Sequence, residues 1–174
     1  MSSNLALVIF GMLLLGTFML MANGIMLENS TAADRNEYYL TAMSLAQSVI
    51  DEAKTKAFDQ RTVSGPVTSK DSLTSPLSLT REGSGEVVPV PDTLTSQGFL
   101  SIIKFNDVDD YNGYRRLLNT PRANGYMLAA TVRYVSATYP DSASSTKSYS
   151  KRMTVTVTSP YFPDSLSVQY IFVY

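Results

Sequence analysis

The chain begins with a long apolar stretch and continues as a polar sequence that never regains this character. LALVIFGMLLLGTFMLMANGIMLE covers Leu5 to Glu28, and no charged residue occurs in residues 1–27. No proline interrupts residues 1–58, and apolar or small residues continue at helical steps of three and four after Leu27. The pattern predicts one helix from Met1 to about Phe58, roughly 80 Å long at about 1.5 Å per residue.

The second half of this helix, residues 28–58, carries a stripe suited to packing on another element. The stripe consists of Tyr39, Met43, Ala46, Ile50, Ala53 and Ala57. Charged residues fall largely off this stripe, which makes the segment amphipathic. A helix of this length exceeds what a small domain can cover. We therefore expect the first half, residues 1–27, to bury itself against other molecules.

Residues 59–98 are rich in Ser, Thr, Pro and Gly and contain several turn-forming pairs. Gly65-Pro66, Ser75-Pro76 and the run from Gly83 to Gly85 interrupt any regular period. Two interpretations stay open here, a flexible linker and an ordered loop that crosses back over the helix. The apolar anchors for an ordered loop are Val63, Val67, Leu73, Leu77, Leu79, Val87 and Val88.

The last part of the chain, residues 99–174, alternates apolar and polar residues in the manner of β-strands. Apolar side chains recur at every second residue from Leu128 to Tyr134, from Met153 to Val157 and from Leu166 to Tyr174. Phe99 to Phe105 is a shorter strand candidate. The turns between these segments are marked by Asn124-Gly125, Pro140-Asp141, Ser159-Pro160 and Pro163-Asp164. Short connections favour an antiparallel meander.

One face of such a sheet needs a cover, and the helical stripe is the obvious one. We therefore predict an α+β fold. A long N-terminal helix, apolar in its first half and amphipathic in its second, packs on an antiparallel sheet in the β-rich head, residues 99–174. Tyr170, Phe172 and Tyr174 alternate on the last strand, which predicts that their face is buried.

The composition excludes several classes of function. The chain of 174 residues has 14 basic and 15 acidic residues and no His, Cys or Trp. Without His and Cys, zinc, copper, haem and iron–sulfur sites lose their usual ligands. Thiol nucleophiles and Ser–His catalysis are excluded as well. The balanced charge lacks the basic surface that binds nucleic acid. We expect no enzymatic activity, no cofactor and no nucleic-acid partner.

The richest polar cluster, NDVDDYNGY, offers a weak calcium site. Its candidate ligands are Asp107, Asp109, Asp110 and Asn112. The spacing does not fit an EF-hand loop, because Tyr111 occupies the place of the third ligand counted from Asp107. We favour a turn in which these side chains bond their own backbone and Gly113 takes positive φ.

A second weak candidate is the triplet Asn29-Ser30-Thr31, which matches the acceptor pattern for N-glycosylation. Such triplets arise often by chance. Modification of Asn29 is therefore a minor hypothesis.

Three interpretations compete for the apolar stretch. A secretion signal would carry basic residues before a shorter apolar core, and residues 1–4 contain none. A bilayer anchor fits better, since about 22–27 uncharged residues cross a hydrocarbon layer of about 30 Å. The third interpretation is a helix that first sits in a membrane and later packs against copies of itself. Gly11, Gly16 and Gly24 would then supply flexibility and close approach of neighbouring backbones.

The arrangement resembles the type IV pilin and pseudopilin family. The segments that carry the resemblance are LALVIFGMLLLGTFMLMANGIM, YYLTAMSLAQSVIDEAKTKAFDQ, FNDVDDYNGY and KRMTVTVTSP. The last two resemble minor pilins of the mannose-sensitive haemagglutinin type. Bacterial members of the family usually carry a glutamate as the fifth residue of the mature chain, and the fifth residue here is Leu5. Docking between subunits would then rest on apolar packing, or on Asn4 and backbone carbonyls.

The resemblance implies a subunit of an extracellular helical filament that is inserted in the cytoplasmic membrane before assembly. Its partners would be identical subunits and a pilus assembly machinery. The implied filament core consists of Leu5, Val8, Ile9, Met12, Leu13, Leu14, Leu15, Phe18, Met19, Leu20, Ile25, Met26 and Leu27. The alternatives are a minor pilin or pseudopilin of a secretion or uptake machine and, more distantly, a plain membrane-anchored surface binding module.

Overall fold

The computed structural model describes the backbone of residues 2–174 and the side chains of residues 4–174. The predicted first residue of the helix, Met1, lies outside this range. By its contacts the chain divides into two compact units, Met1–Tyr38 and Tyr39–Tyr174. Helix α1, Ser2–Lys54, begins in the first unit and ends in the second.

The second unit combines the end of α1 with short helices and a five-stranded sheet. The short helices are α2 (Gln60–Val63), α3 (Leu100–Lys104) and three 3-10 turns at Lys70–Ser72, Ser84–Glu86 and Asp109–Tyr111. The strands are β1 (Asp92–Thr93), β2 (Arg115–Leu118), β3 (Tyr126–Tyr134), β4 (Ser150–Ser159) and β5 (Phe162–Val173). The predicted α+β fold, with a long N-terminal helix and a C-terminal, mostly antiparallel sheet, is confirmed.

The sheet has the order β1-β2-β3-β4-β5. The three long strands that the alternation predicted form the expected antiparallel meander, with Tyr134 opposite Lys151 and Met153 opposite Tyr170. β2 extends the meander and β1 adds a parallel edge. Neither was predicted, because strands of four and two residues are too short to show a period.

The core lies on one face of β3 and β4. Its inward side chains are Tyr126, Leu128, Ala130, Val132 and Tyr134 on β3, and Lys151, Met153, Val155 and Val157 on β4. Each is at most 2% exposed. Burial of an aliphatic side chain of this size is worth about 1.5–3 kcal/mol, so these two strands dominate the apolar contribution to stability. Lys151 is the member of the row that does not fit an apolar core.

α1 covers this face with mostly small side chains. Its fully buried positions are Ala42, Ala46, Val49, Ile50 and Ala53. Tyr39 stacks on Phe162 of β5 with ring centroids 4.8 Å apart. The prediction of Met43 in the stripe is wrong, since Met43 is 49% exposed and Ala42 takes the buried position. One step along a helix turns the side chain by about 100°, and alanine allows the helix to approach the sheet closely.

α1 ends at Lys54, earlier than the predicted end near Phe58. Ala57, predicted as a helical packing residue, has left the helix. Its N–H donates to the Asn106 carbonyl at 3.0 Å, and the Val108 N–H donates to the Ala57 carbonyl at 3.0 Å. Backbone pairing with a segment distant in sequence thus replaces the last predicted helical turn. Helix propensity depends on neighbouring residues and does not predict such pairing.

The segment from Phe99 to Phe105 contains α3, and its prediction as a strand is wrong. The side chain of Asp92, in β1, accepts the backbone N–H groups of Leu100 at 3.4 Å and Ser101 at 3.1 Å. A carboxylate at a helix N-terminus satisfies free amides and interacts favourably with the helix dipole. A cap supplied from another element therefore outweighs the strand-like composition.

β5 is less buried than its aromatic alternation predicted. Tyr170 and Tyr174 are 39% and 42% exposed, and Phe172 is half-buried. The strand stands at the edge of the sheet and pairs only with β4 among the described residues. The prediction of a fully buried face is therefore wrong: α1 contacts β5 through Tyr39 and Lys54, but this edge strand stays partly open to solvent.

Residues 59–98 form an ordered loop, which decides between the two interpretations of this segment. Leu73, Leu79 and Val88 are at most 5% exposed, and Val67 packs against the cluster that contains Leu73 and Leu79. Other proposed anchors are exposed, with Leu77 at 98%. Within the ordered loop, the side chain of Glu86 accepts the Gly83 N–H at 2.7 Å.

Candidate functional site

The first candidate site is the apolar surface, defined by the thirteen predicted filament-core residues from Leu5 to Leu27. These side chains are 51–73% exposed. Leu7, Phe10 and Met21, which the prediction omitted, are 74%, 62% and 69% exposed. Apolar side chains therefore point outward around the whole circumference of the helix. Such a surface is unfavourable in water and needs lipid or protein around it.

The apolar surface contains few polar groups. The Thr17 hydroxyl donates to the Leu14 carbonyl at 2.9 Å, so it is satisfied within the helix. Charged residues begin only at Glu28. By length and composition, α1 is the one helix in the described part of the chain that could cross a membrane.

Three glycines interrupt the apolar surface without interrupting the helix. Apart from the neighbouring backbone of the helix itself, a Cβ atom placed at Gly11, Gly16 or Gly24 would meet no heavy atom within 4 Å. The space beside each glycine is therefore open to a neighbouring molecule. The predicted flexibility at these positions stays a prediction, because α1 is continuous through all three.

Asn29, the possible glycosylation site, is exposed within α1. Thr31 of the same triplet donates its hydroxyl to the Leu27 carbonyl at 2.9 Å. Modification of Asn29 stays a prediction.

The cluster from Asn106 to Gly113 is a turn, as favoured from the sequence. Asp107 Oδ1 accepts the N–H groups of Asp109 at 2.6 Å and Asp110 at 3.2 Å. Asp110 Oδ2 accepts the Asn106 N–H at 2.9 Å. Gly113 has a φ of 76°.

The proposed calcium ligands do not converge on a common point. Asn112 donates to the Leu79 carbonyl at 2.7 Å and accepts the Val132 N–H at 3.1 Å, so it tethers two other segments. No group of three or more acidic residues within the described range is arranged to hold a metal ion.

The carboxyl groups of this turn are buried, which the sequence did not indicate. Burial, reinforced by the neighbouring charges of Asp109 and Asp110, raises the pKa of Asp107 to about 8. Burial also raises the pKa of Asp110 to about 6, against the effect of backbone N–H groups that donate to it. The folded state therefore favours the protonated form of these acids.

A lysine triad, Lys151 with Asp59 and Asp109, lies beneath the turn. Lys151 Nζ donates to Asp59 Oδ2 at 2.7 Å and to Asp109 Oδ1 at 2.6 Å, and the three side chains are 0% exposed. Burial opposes ionisation of Asp59, but the hydrogen bond and charge of Lys151 outweigh it and lower its pKa to about 2. Burial raises the pKa of Asp109 to about 7 despite the charge of Lys151.

A second buried ion pair, Arg116 with Glu52, fastens the last turns of α1 to β2. Arg116 Nη2 donates to Glu52 Oε2 at 2.5 Å and to Ser101 Oγ at 2.8 Å. The Tyr111 hydroxyl donates to Glu52 Oε1 at 2.8 Å, and burial raises the pKa of Tyr111. The arginine and glutamate side chains are 4% and 10% exposed. This pair is a structural clamp between helix and sheet.

Sequence reasoning missed both ion clusters, although one signal was present. In KRMTVTVTS, Lys151 occupies the same alternate position as Met153, Val155 and Val157, so the strand period places it inward. A lysine in an inward row needs a buried partner. No comparable signal identified Asp59 or Asp109 as the partners, because they come from loops far apart in the chain.

No protein-family model, curated protein or solved structure matches this chain. The long apolar N-terminal helix and the antiparallel sheet on which its last turns pack give the molecule a pilin-like architecture.

Proposed function

We propose that this protein is a structural subunit of an extracellular, type IV pilus-like filament that polymerises through the apolar surface of α1. Before assembly the subunit would sit in the cytoplasmic membrane, from which an assembly machinery would extract it. The observation that carries the proposal is an uncharged helical surface, exposed around its circumference, in a chain whose second unit has a closed core of its own.

Burial of the apolar surface supplies enough free energy for assembly in water. Each side chain of Leu or Met size contributes about 1.5–3 kcal/mol when it is fully buried. The cost of association is about 4–15 kcal/mol, so a dozen such residues leave a large surplus. A filament built this way would persist outside the cell.

Transfer from lipid to a helix bundle needs a further source of specificity, since lipid is as apolar as the helix. In such bundles small residues allow close backbone contact and favourable packing. Gly11, Gly16 and Gly24, with open space at each Cβ position, provide that opportunity. They favour a packed helix over one that only anchors the chain.

The docking of one subunit on the next would involve no acidic side chain from residues 1–27, because this segment contains none. We therefore propose that register between subunits depends on apolar packing together with Asn4 and backbone carbonyls.

The decisive experiment compares two leucine-to-aspartate variants in cells that produce the protein. Leu13→Asp places a charge in the apolar surface and is expected to abolish filaments in the sheared surface fraction, observed by negative-stain microscopy. Leu77→Asp, at a side chain that is 98% exposed in the second unit, is the matched control and should leave filaments at normal abundance. Normal filaments from the Leu13→Asp variant would refute the proposal.

A second variant separates assembly from membrane insertion. Gly16→Leu keeps the segment apolar, so the protein should still fractionate with the membrane, while the added side chain blocks close helix contact. We expect fewer filaments with unchanged membrane content. Membrane-bound protein that never forms filaments, even as wild type, would support the plain anchored module. Filaments that contain the protein only as a trace component, by mass spectrometry, would support the minor pilin.

A further inference from the structure

The side chains of the lysine triad are held in contact in the interior of the second unit, and each is 0% exposed. Lys151 Nζ donates to three acceptors, which are Asp59 Oδ2, Asp109 Oδ1 and, at 3.0 Å, the Phe58 carbonyl. The rings of Phe58 and Tyr134 flank the nitrogen, with centroids at 4.6 Å and 5.0 Å. The amine is therefore fixed in position against two carboxyl groups and shielded from solvent.

The two carboxyl groups have different surroundings. Besides Lys151, Asp59 accepts the Arg61 N–H at 3.0 Å, the Thr74 N–H at 3.1 Å and the Tyr134 hydroxyl at 2.9 Å. These donors stabilise its ionised form. Asp109 Oδ1 accepts the Lys151 amine, and the buried Oδ2 of Asp109 has no hydrogen-bond partner.

This asymmetry assigns different chemistry to the two acids. Asp59 is a carboxylate oriented by several donors, and it can receive and return a proton. Asp109 is a carboxyl group without such support, which burial holds towards its neutral form. A neutral carboxylic acid beside an amine is the arrangement that amide formation requires.

We propose that Lys151 and Asp109 condense to an intramolecular isopeptide bond, with Asp59 as the group that transfers the proton. The proposal concerns the second unit alone. It holds equally for a filament subunit and for an anchored module, so its failure would leave the proposed function untouched.

The reaction balances within the triad. Transfer of one proton from the Lys151 ammonium group to Asp109 converts the ion pair into a neutral amine and a neutral acid. The Nζ lone pair attacks Cγ of Asp109, Asp59 takes the second proton from the nitrogen, and this proton passes to the departing hydroxyl group. The C–O bond breaks, an N–C bond forms, and one water leaves. No oxidant, metal or cofactor takes part.

Two features of the site favour this condensation. The groups are already positioned in hydrogen-bond contact, which removes most of the entropy cost of a bimolecular reaction. The low local dielectric makes the charged pair costly to bury. A neutral amide in its place does not carry this cost. The bond would join β4 to the turn at Asp109–Tyr111, across 42 residues of chain.

The test is peptide mapping and intact-mass spectrometry of the full-length protein, purified in detergent and denatured. We expect a branched peptide that joins the segment around Lys151 to the segment around Asp109 and weighs one water less than its two parts. Recovery of both residues only in separate, unmodified peptides would overturn the proposal. So would a branched peptide that joins Lys151 to Asp59, because the acceptor would then be the other acid. This measurement on the wild-type protein does not depend on any variant folding.

Three variants test the assigned roles. Lys151→Met removes the nucleophile and should abolish the branched peptide. Asp59→Asn removes the proton acceptor but keeps an amide oxygen, and should lower the fraction of cross-linked chains while the protein still folds. Lys147→Met is the matched control, since this half-buried lysine lies outside the triad and donates to the Asp71 carbonyl, and it should retain the full branched yield. A folded Asp59→Asn protein with wild-type cross-linking would contradict the role of Asp59.

Discussion

The apolar surface of α1 and the interior beneath the last turns of the same helix are built in opposite ways. In the first region, Leu13 and Phe18 are 63% and 69% exposed and no charge is present. In the second, Lys151 is 0% exposed and forms ion pairs with two aspartates. Apolar groups face outward in one region, whereas charged groups face inward in the other.

The difference shows where each region obtains its partners. Unsatisfied apolar area has to be covered by something outside the chain, and this supports an external partner for the first half of α1. Buried charges have to be satisfied inside the chain, because an unpaired charge in a low dielectric is costly. The second unit thus pairs its buried lysine and arginine within itself, whereas the apolar surface depends on its surroundings.

The largest effect should follow from breaking a buried ion pair at the end of α1. Glu52→Ala leaves Arg116 buried without its carboxylate, and we expect the free energy of unfolding of the second unit to fall by about 3–5 kcal/mol. Asp51→Ala is the matched control, since the Asp51–Lys54 pair is exposed on the same helix turn. Urea unfolding of the full-length protein in detergent measures both. An equal loss in the two variants would contradict the clamp.

The next effect distinguishes buried from exposed apolar side chains on one helix. Ile50→Ala removes a side chain that is 0% exposed and should lower the free energy of unfolding by about 2–5 kcal/mol. Met43→Ala, at a position 49% exposed, should change it by less than about 0.5 kcal/mol. A larger loss from Met43→Ala would restore Met43 to the packing stripe.

The smallest effect, when it is counted per pH unit, is the pH dependence that the buried turn imposes. The pKa of Asp107 rises from its ordinary value of 3.8 to about 8, so the folded state binds this proton more tightly than the unfolded state. Its contribution to stability is fully present below about pH 4 and is lost as the pH rises through about 8. Between these limits the free energy of unfolding should fall by at most about 1.4 kcal/mol per pH unit.

Asp107→Asn provides the control for this pH dependence. Asparagine keeps the Oδ1 acceptor that binds the Asp109 and Asp110 N–H groups, but it does not titrate. Urea unfolding at pH 5, 6, 7 and 8 should therefore give a flatter profile for the variant than for the wild type. An unchanged slope would assign the pH dependence to other groups.

Prediction from sequence succeeded where a pattern extends over many residues. Each of these successful predictions came from a pattern that repeats within one helix or strand. These patterns are the uncharged stretch up to Leu27, the helical period that follows it, and the alternation in β3, β4 and β5. The turn at Asp107–Asn112 was also predictable, because Asx side chains and glycine act on their own backbone.

Prediction failed where a distant element supplies the deciding contact. The end of α1 depends on the pairing of Ala57 with residues near Asp107, and α3 depends on a cap from Asp92. Met43 and Ala42 are neighbours in the sequence. The helical period locates a buried position only to within one residue, so it does not show which of the two is buried. The partners of Lys151 belong to loops that meet only after folding.

The sequence by itself determined that a long apolar helix precedes a sheet-forming region and that the chain has no His or Cys side chain, because composition and period are properties of the chain. Only the tertiary structure decided that Lys151 meets Asp59 and Asp109, and that Glu52 meets Arg116. Local propensity acts over a few residues, whereas these ion pairs join positions 42 to 92 residues apart. Such charges attract each other strongly only where water is excluded. Water is excluded here only after the sheet, the turn and the helix have packed together.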